Sequence, residues 1–228
     1  MSDSLLADIS PSQLALLKKY SEAIEQSPSW FGMTAANERS RFWKRHVLDA
    51  LAMVEALPPE WRGEHWKVAD AGTGNGVPGL PIAIVIPKWD MHLIDSDNKK
   101  VGFLEQFSNS YSIKSISYIS ERLEVFCHTG SRETFNLVFA RALSKLRSAI
   151  ELTAPLVKVG GRLIVSHGTS WPEELEVAKK AMRALGVEFE RTIQYGTDKN
   201  LVILVFSKKD STPSQYPRRT GVPSKKPL

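Results

Sequence analysis

The sequence predicts an α/β protein: a mostly parallel, seven-stranded sheet that ends in an antiparallel hairpin and is preceded by a helical extension. Three observations carry this. From residue 66 onward, short apolar runs alternate with segments of helical period, the pattern of a parallel sheet covered on both faces. The stretch "VADAGTGNGVPGLPIA", residues 68–83, packs four glycines between Gly72 and Gly79, directly after the first apolar run. Finally, the last two apolar runs are separated only by the polar "TDKN", too short for a crossover, so they must run antiparallel.

The elements follow in order. Ser10-Pro11 caps a helix over about 11–26, with Leu14, Leu17, Tyr20 and Ile24 at helical spacing. A second helix is expected over about 37–57, capped by Asn37 and stopped by Pro58-Pro59. "WKVADAG" then reads as strand one, "PGLPIAIVI" as a helix, "WDMHLIDSD" as strand two and "NKKVGFLEQFSNSY" as a helix. "ISYIS" is strand three, "ERLEVF" a helical turn, "FNLVFARA" strand four, "LSKLRSAIELTAPLV" a helix and "GGRLIVSHG" strand five. After the helix "WPEELEVAKKAMRALG", the hairpin "VEFERTIQYG" and "LVILVFSKK" closes the sheet. The expected units are an extension over 1–60, a Rossmann-like domain over 61–209 and a basic, proline-rich tail over 210–228.

Composition narrows the chemistry. With 42% hydrophobic and 24% charged residues and no apolar run near the roughly 20 needed to span a bilayer, a soluble protein is expected. The N-terminus lacks a basic region followed by an apolar core, so a cytoplasmic location is expected. Cys127 is the sole cysteine, and the five histidines show no ligand spacing, so neither disulfide nor metal chemistry is expected. The net charge of +5 sits wholly in the end of the chain, where Lys208, Lys209, Arg218, Arg219, Lys225 and Lys226 face one acid, Asp210. A neutral body with such an end suits a catalyst that holds a polyanion, with Tyr216 as a possible stacking ring; a merely solubilising tail is the alternative.

The glycines admit two ligands. Gly74, Gly76 and Gly79 fit the dinucleotide spacing G-x-G-x-x-G, whereas Asp70, Gly72, Gly74 and Gly76 form D-x-G-x-G-x-G. A pyrophosphate wants free N–H groups at a helix start, and Pro78 and Pro81 remove two of them. S-adenosylmethionine has no phosphate but carries a sulfonium and an ammonium, which acids near the glycines would suit. Asp70 is expected to order the loop or orient the methionine end, or to be a plain turn or cap. Asp95 ends strand two, 21 residues after Gly74, where an acid accepts from ribose hydroxyls. Asp97 is its near equivalent, and one of the two should be a helix cap. Leu123 and Glu124 would flank an adenine.

With its terminal hairpin, the chain resembles class I S-adenosylmethionine-dependent methyltransferases. More narrowly, "RHVLDAL", "DAGTGNGVPGLPIAI", "LIDSDNKKVGFL", "ERLEVF", "ARAL" and "YPRRTGVPSKKPL" resemble the small-subunit ribosomal RNA guanine-N7 methyltransferase G family, also called glucose-inhibited division protein B. The resemblance implies S-adenosylmethionine as cofactor, with binding positions at Gly72, Val77, Leu123, Glu124 and Arg141. It implies methylation of N7 of guanine 527 in 16S ribosomal RNA of the 30S subunit. The chain departs from the family pattern at Gly32-Met33, Ala50 and His167-Gly168, where substrate would be held.

Guanine N7 has a lone pair and no proton, so alignment rather than a general base would drive transfer. Arg141 is the catalytic candidate, engaging the cofactor carboxylate or a nucleotide phosphate; a salt bridge to Asp70 or Glu124 is the structural alternative. His46 and Asp49 share a helix face and would roof the site, grip RNA or pair locally. Arg218, Arg219, Lys225 and Lys226 are expected to bind RNA phosphates, and a monomer is expected. A small-molecule methyltransferase, a nicotinamide oxidoreductase and a non-catalytic ribosome-assembly factor remain open on the sequence. A covalent role for Cys127 is not expected, since a lone cysteine after Val-Phe reads as core.

Overall fold

The computed structural model describes residues 9–28, 32–55, 57–58, 61, 65–195 and 201–228. The turn "TDKN" and the first eight residues lie outside them. Helix α1 spans Pro11–Gln26, opened by a capping box in which Ser10 and Gln13 exchange side-chain and backbone hydrogen bonds. The expected second helix is three pieces: a 3-10 turn over Ala36–Arg41, a π-helical turn over Trp43–Val47 and α2 over Leu48–Glu55. Asn37 caps nothing, because the 3-10 turn starts from Ala35 without a side-chain cap. The reason is tertiary. The wide π turn lets Phe42 pack edge-on against Tyr20 while His46 points toward the sheet's functional end, and such insertions are common at working sites.

Strands β1 (Lys67–Ala71), β2 (Asp90–Asp95), β3 (Ile116–Ser120), β4 (Phe135–Arg141), β5 (Val157–His167), β6 (Val187–Tyr195) and β7 (Leu201–Lys208) form one sheet in the order β3-β2-β1-β4-β5-β7-β6. The first five pair in parallel; β7 runs antiparallel to both β5 and β6. Between them lie α3 (Gly79–Val85), α4 (Asn98–Ser110), the short α5 (Leu123–Phe126), α6 (Leu146–Thr153) and α7 (Trp171–Leu185), and α8 (Val222–Lys225) ends the chain.

Alternation along each strand sorts the core onto two faces. Val68, Leu93, Leu137, Phe139, Ile164 and Ile203 join one cluster with Tyr20, Phe42 and Leu51 of the N-terminal segment. Ala69, Ile94, Val138, Leu163, Leu204 and Phe206 join the other, under α6 and α7. The N-terminal helices therefore complete one face of the sheet. Strand order reverses between β1 and β4, which opens a crevice at their carboxyl ends.

The basic end of the chain is built into the body. Lys208 is fully buried, with Nζ 3.2 Å from Glu133 and donating to the carbonyls of Ala154 and Leu185 and to Thr212 Oγ1. Arg132 then donates to the carbonyl oxygens of Thr212, Pro213 and Tyr216, fastening the following segment.

Candidate cofactor and substrate site

A cavity of about 510 Å³ lies in that crevice, within the range of small-molecule sites. Gly72, Gly74, Val77, Asp95, Leu123, Glu124, Arg141 and His46, eight of the positions singled out in the sequence, all line it.

The glycine loop forms its floor. Gly72 and Thr73 each donate a backbone N–H to Ile94 O at 2.9 Å, tying the end of β1 to that of β2. Gly72 has φ +74, backbone that favours glycine, and an added Cβ would sit 2.4 Å from Leu143 Cδ1, so that side chain would have to shift. From the other side, Tyr20 on α1 donates its hydroxyl to Asn75 O.

Asp70 lies beneath the loop rather than in the cavity. Its Oδ2 accepts from Thr73 Oγ1 at 2.7 Å and from Gly79 N at 2.9 Å, while Oδ1 is buried without a hydrogen bond. Burial pushes its pKa up to about 6, against the pull of those two bonds. It orders the loop and does not line the cavity. Asp95 does: Oδ2 accepts from Gly74 N and Oδ1 from Asp97 N, leaving lone pairs on both oxygens for hydroxyl donors. Asp97 is the cap of the pair, accepting from the N–H groups of Lys99 and Lys100 at the start of α4.

The β4 end is built differently. Arg141 pairs with neither Asp70 nor Glu124. Its Nη2 lies 3.7 Å from Asp49 and donates to Arg45 O at 2.9 Å and to His46 Nδ1 at 3.2 Å, while Nη1 is buried without a hydrogen bond. A guanidinium only donates, so Nδ1 holds the imidazole lone pair and Nε2 the proton. Burial, helped by Arg141, lowers the His46 pKa to about 4, and the ring stays neutral. The shared face of His46 and Asp49 thus serves to hold Arg141. Next to this end, a smaller cavity of about 150 Å³ shares Ala142 and Leu143 with the first and is lined by Ser166, His167 and Gly168. His167 Nε2 lies 3.4 Å from Glu174.

Of the basic tail residues, none named in the sequence lines the cavity. Arg218 donates through Nε and Nη2 to both oxygens of Glu151, which is fully buried, so its charge is spent inside the protein. Arg219, Lys225 and Lys226 are exposed. Sequence reasoning missed Asn75, Lys100, Arg122, Leu143 and Ser224 as lining residues. All five lie inside stretches quoted for the resemblance, Ser224 within "YPRRTGVPSKKPL", but none was singled out there as a site residue. Cys127 is core: burial pushes its thiol up to about 12. No helix among the described residues is long and apolar enough to cross a membrane, and no group of three or more metal-ligating side chains occurs among them.

A parallel sheet with a terminal antiparallel hairpin and a glycine-floored crevice at the β1/β4 switch defines the fold of class I S-adenosylmethionine-dependent methyltransferases. Solved structures agree: a TehB-like methyltransferase from Corynebacterium glutamicum superposes with TM-score 0.54 at 19% identity, covering 76% of this chain and 93% of that one. A ribosomal protein L11 methylase from Lactobacillus delbrueckii subsp. bulgaricus gives 0.53 at 18%, covering 72% and 77%. Residues 13–202 match the family of rRNA small subunit methyltransferase G, and the chain belongs to that family. Curated relatives of that name include proteins from Limosilactobacillus reuteri, 32% identical over 96% of this chain and 93% of its own length, and Thermotoga sp. (strain RQ2), 36% identical over 95% and 92%.

Proposed function

We propose that the chain transfers a methyl group from S-adenosylmethionine to N7 of guanine 527 in 16S ribosomal RNA. When bound, the cofactor supplies an electrophilic methyl on a sulfonium. The residues present suit it: Asp95 has lone pairs for ribose hydroxyls, Leu123 gives an apolar face for adenine, and the bare backbone at Gly72 and Gly74 leaves room for the methionine end. The buried Arg141 Nη1, still lacking an acceptor, can receive a carboxylate or phosphate oxygen. A dinucleotide fits less well, because Pro78 and Pro81 deprive α3 of donors for a pyrophosphate.

One observation carries the choice of acceptor. At the β4 exit stand a guanidinium and a neutral imidazole whose lone pair already receives Arg141, and no carboxylate lines that end of the cavity among the described residues. A nucleophile with a proton to lose would find no carboxylate to take it there; N7, whose lone pair is ready, needs only alignment. Arg141 holds the reacting groups in line, His46 and Asp49 hold Arg141, and Leu143 separates the two cavities, the smaller of which would admit the edge of the base. The exposed Arg219, Lys225 and Lys226 bind phosphates around the target.

The test is incubation of full-length protein with tritiated S-adenosylmethionine and 30S subunits from a strain lacking the modification, followed by base mapping. Label on N7 of guanine 527 is expected. Label on another base, or transfer only to a small metabolite, overturns the assignment.

A further inference from the structure

The C-terminal segment over 209–228 reaches the same cavity as the glycine loop through Ser224. Ser224, on α8, lines it together with Leu123, Glu124 and Leu152. Glu124, at the end of the cavity read above as the adenine site, accepts at 2.9 Å from the N–H of Gly221, immediately before α8.

The segment is held there by buried chemistry. The carboxylate of Glu151 receives three donors from Arg218, its backbone N–H at 3.0 Å, Nε at 2.7 Å and Nη2 at 2.6 Å, and Glu151 neighbours the cavity-lining Leu152. Ser148 on the same helix donates to Pro223 O at 2.8 Å, and Arg147 donates to Leu228 O at 3.1 Å. Arg218 Nη2 also donates to Lys226 O, bending the segment back on itself around α8. These bonds run to α6, the helix behind the cavity, so the position of Ser224 is fixed by the same framework that fixes Leu152.

We propose that this segment is a wall of the cofactor site: Ser224 is a binding residue for the hydrogen-bonding edge of the adenine, and the Gly221–Glu124 hydrogen bond is the latch that seats it. The inference rests on the cofactor reading above. A serine hydroxyl both donates and accepts, which matches a base edge presenting an amine beside a ring nitrogen, and Leu123 and Leu152 supply the apolar surface beside it. Glu124 serves by holding the wall.

Calorimetric titration of the full-length protein with S-adenosylhomocysteine tests this, with Ser224→Trp and Gly221→Pro as variants. Tryptophan fills the space beside Ser224, and proline removes the N–H that Glu124 accepts at a position whose φ of +79 proline cannot adopt. Each should weaken S-adenosylhomocysteine about tenfold or more, while Ser224→Trp keeps its unfolding midpoint and binds a 16S RNA fragment within about twofold of wild type. Ser224→Trp with wild-type affinity for S-adenosylhomocysteine overturns the proposal, and it decides alone should Gly221→Pro fail to fold. So does Gly221→Pro that loses RNA affinity with cofactor affinity intact, the behaviour of a plain RNA arm. A wild-type chain that ignores S-adenosylhomocysteine overturns the cofactor reading itself and is recognised before any variant is made.

Discussion

The glycine loop and the C-terminal segment line one cavity but are made from opposite materials. The loop is shaped by backbone: a positive φ at Gly72, N–H groups given to Ile94 O, and Asp95 and Asp70 accepting from Gly74 and Gly79. The segment is shaped by side chains far away in sequence, with Arg218 reaching 67 residues back to Glu151 and Gly221 reaching 97 back to Glu124. A wall of backbone fails when an atom is added to it. One of side chains fails when a charge is removed.

Arg141, which lines the same cavity, should give the largest effect. Arg141→Ala is expected to lower methyl transfer by about a hundredfold to a thousandfold, as loss of an aligned donor does elsewhere. A single-turnover assay reads this, with the unfolding midpoint as control; an equal loss of stability would assign Arg141 to structure. On the backbone side, Gly72→Val puts atoms where Leu143 now sits and forces a β-branched residue into left-handed backbone. S-adenosylhomocysteine affinity should fall about a hundredfold, and calorimetry showing unchanged affinity would break the contrast.

On the side-chain side, Arg218→Ala leaves the Glu151 carboxylate buried without its guanidinium, a change costing about 3 kcal/mol in comparable pairs. Chemical denaturation measures it. The double variant Arg218→Gln with Glu151→Gln should regain most of the loss, whereas a mere surface arm would show no loss to regain.

How much was legible follows from the same division. The strands, their order of direction and the loop were readable, because period-two alternation, a glycine run and a turn too short for a crossover are local signals. The cavity-lining acid and the capping acid could be told apart only in structure, since Asp95 and Asp97 stand two residues apart and differ in which N–H groups they meet. The π turn before α2 was hidden because Phe42 and His46, besides packing on each other, are placed by Tyr20 and Arg141, which are distant in sequence. Arg218 and Lys208 read as tail charge for the same reason: Glu151 and Glu133 look like ordinary helix and loop acids until the fold brings them close.

Acid sharpens the picture of the loop. Asp70 has its pKa raised from 3.8 to about 6, so the folded chain binds its proton more tightly than the unfolded one. Its contribution is fully favourable below about pH 4 and is lost as pH rises through 6, a change of about 3 kcal/mol at most. His46, lowered from 6.5 to about 4, slopes the other way: its contribution is present above pH 6.5 and lost as pH falls toward 4. The two oppose each other in one window. Asp70→Asn, whose amide oxygen still accepts from Thr73 and Gly79, should therefore leave the His46 slope exposed, with stability rising relative to wild type between pH 4 and 6.5. Urea titrations across that range read the slope, and a variant parallel to wild type would remove Asp70 from the account.

The smallest effect on stability belongs to the charges that remain outside. Arg219, Lys225 and Lys226 are exposed, so replacing all three with alanine should change unfolding free energy by no more than about 0.5 kcal/mol. If they bind phosphates, removing each cation lowers the slope of log affinity against log salt by about 0.7 to 0.9. The triple variant should then lose about two units of slope in binding 16S RNA while taking up S-adenosylhomocysteine as wild type does. Arg218→Gln with Glu151→Gln removes a cation from the same segment yet should leave the salt slope unchanged, because that guanidinium was committed to a buried carboxylate before any RNA arrived. A common fall in slope for both variants would mean that the inner and outer faces of the segment are not distinct, and that its charge acts only in bulk.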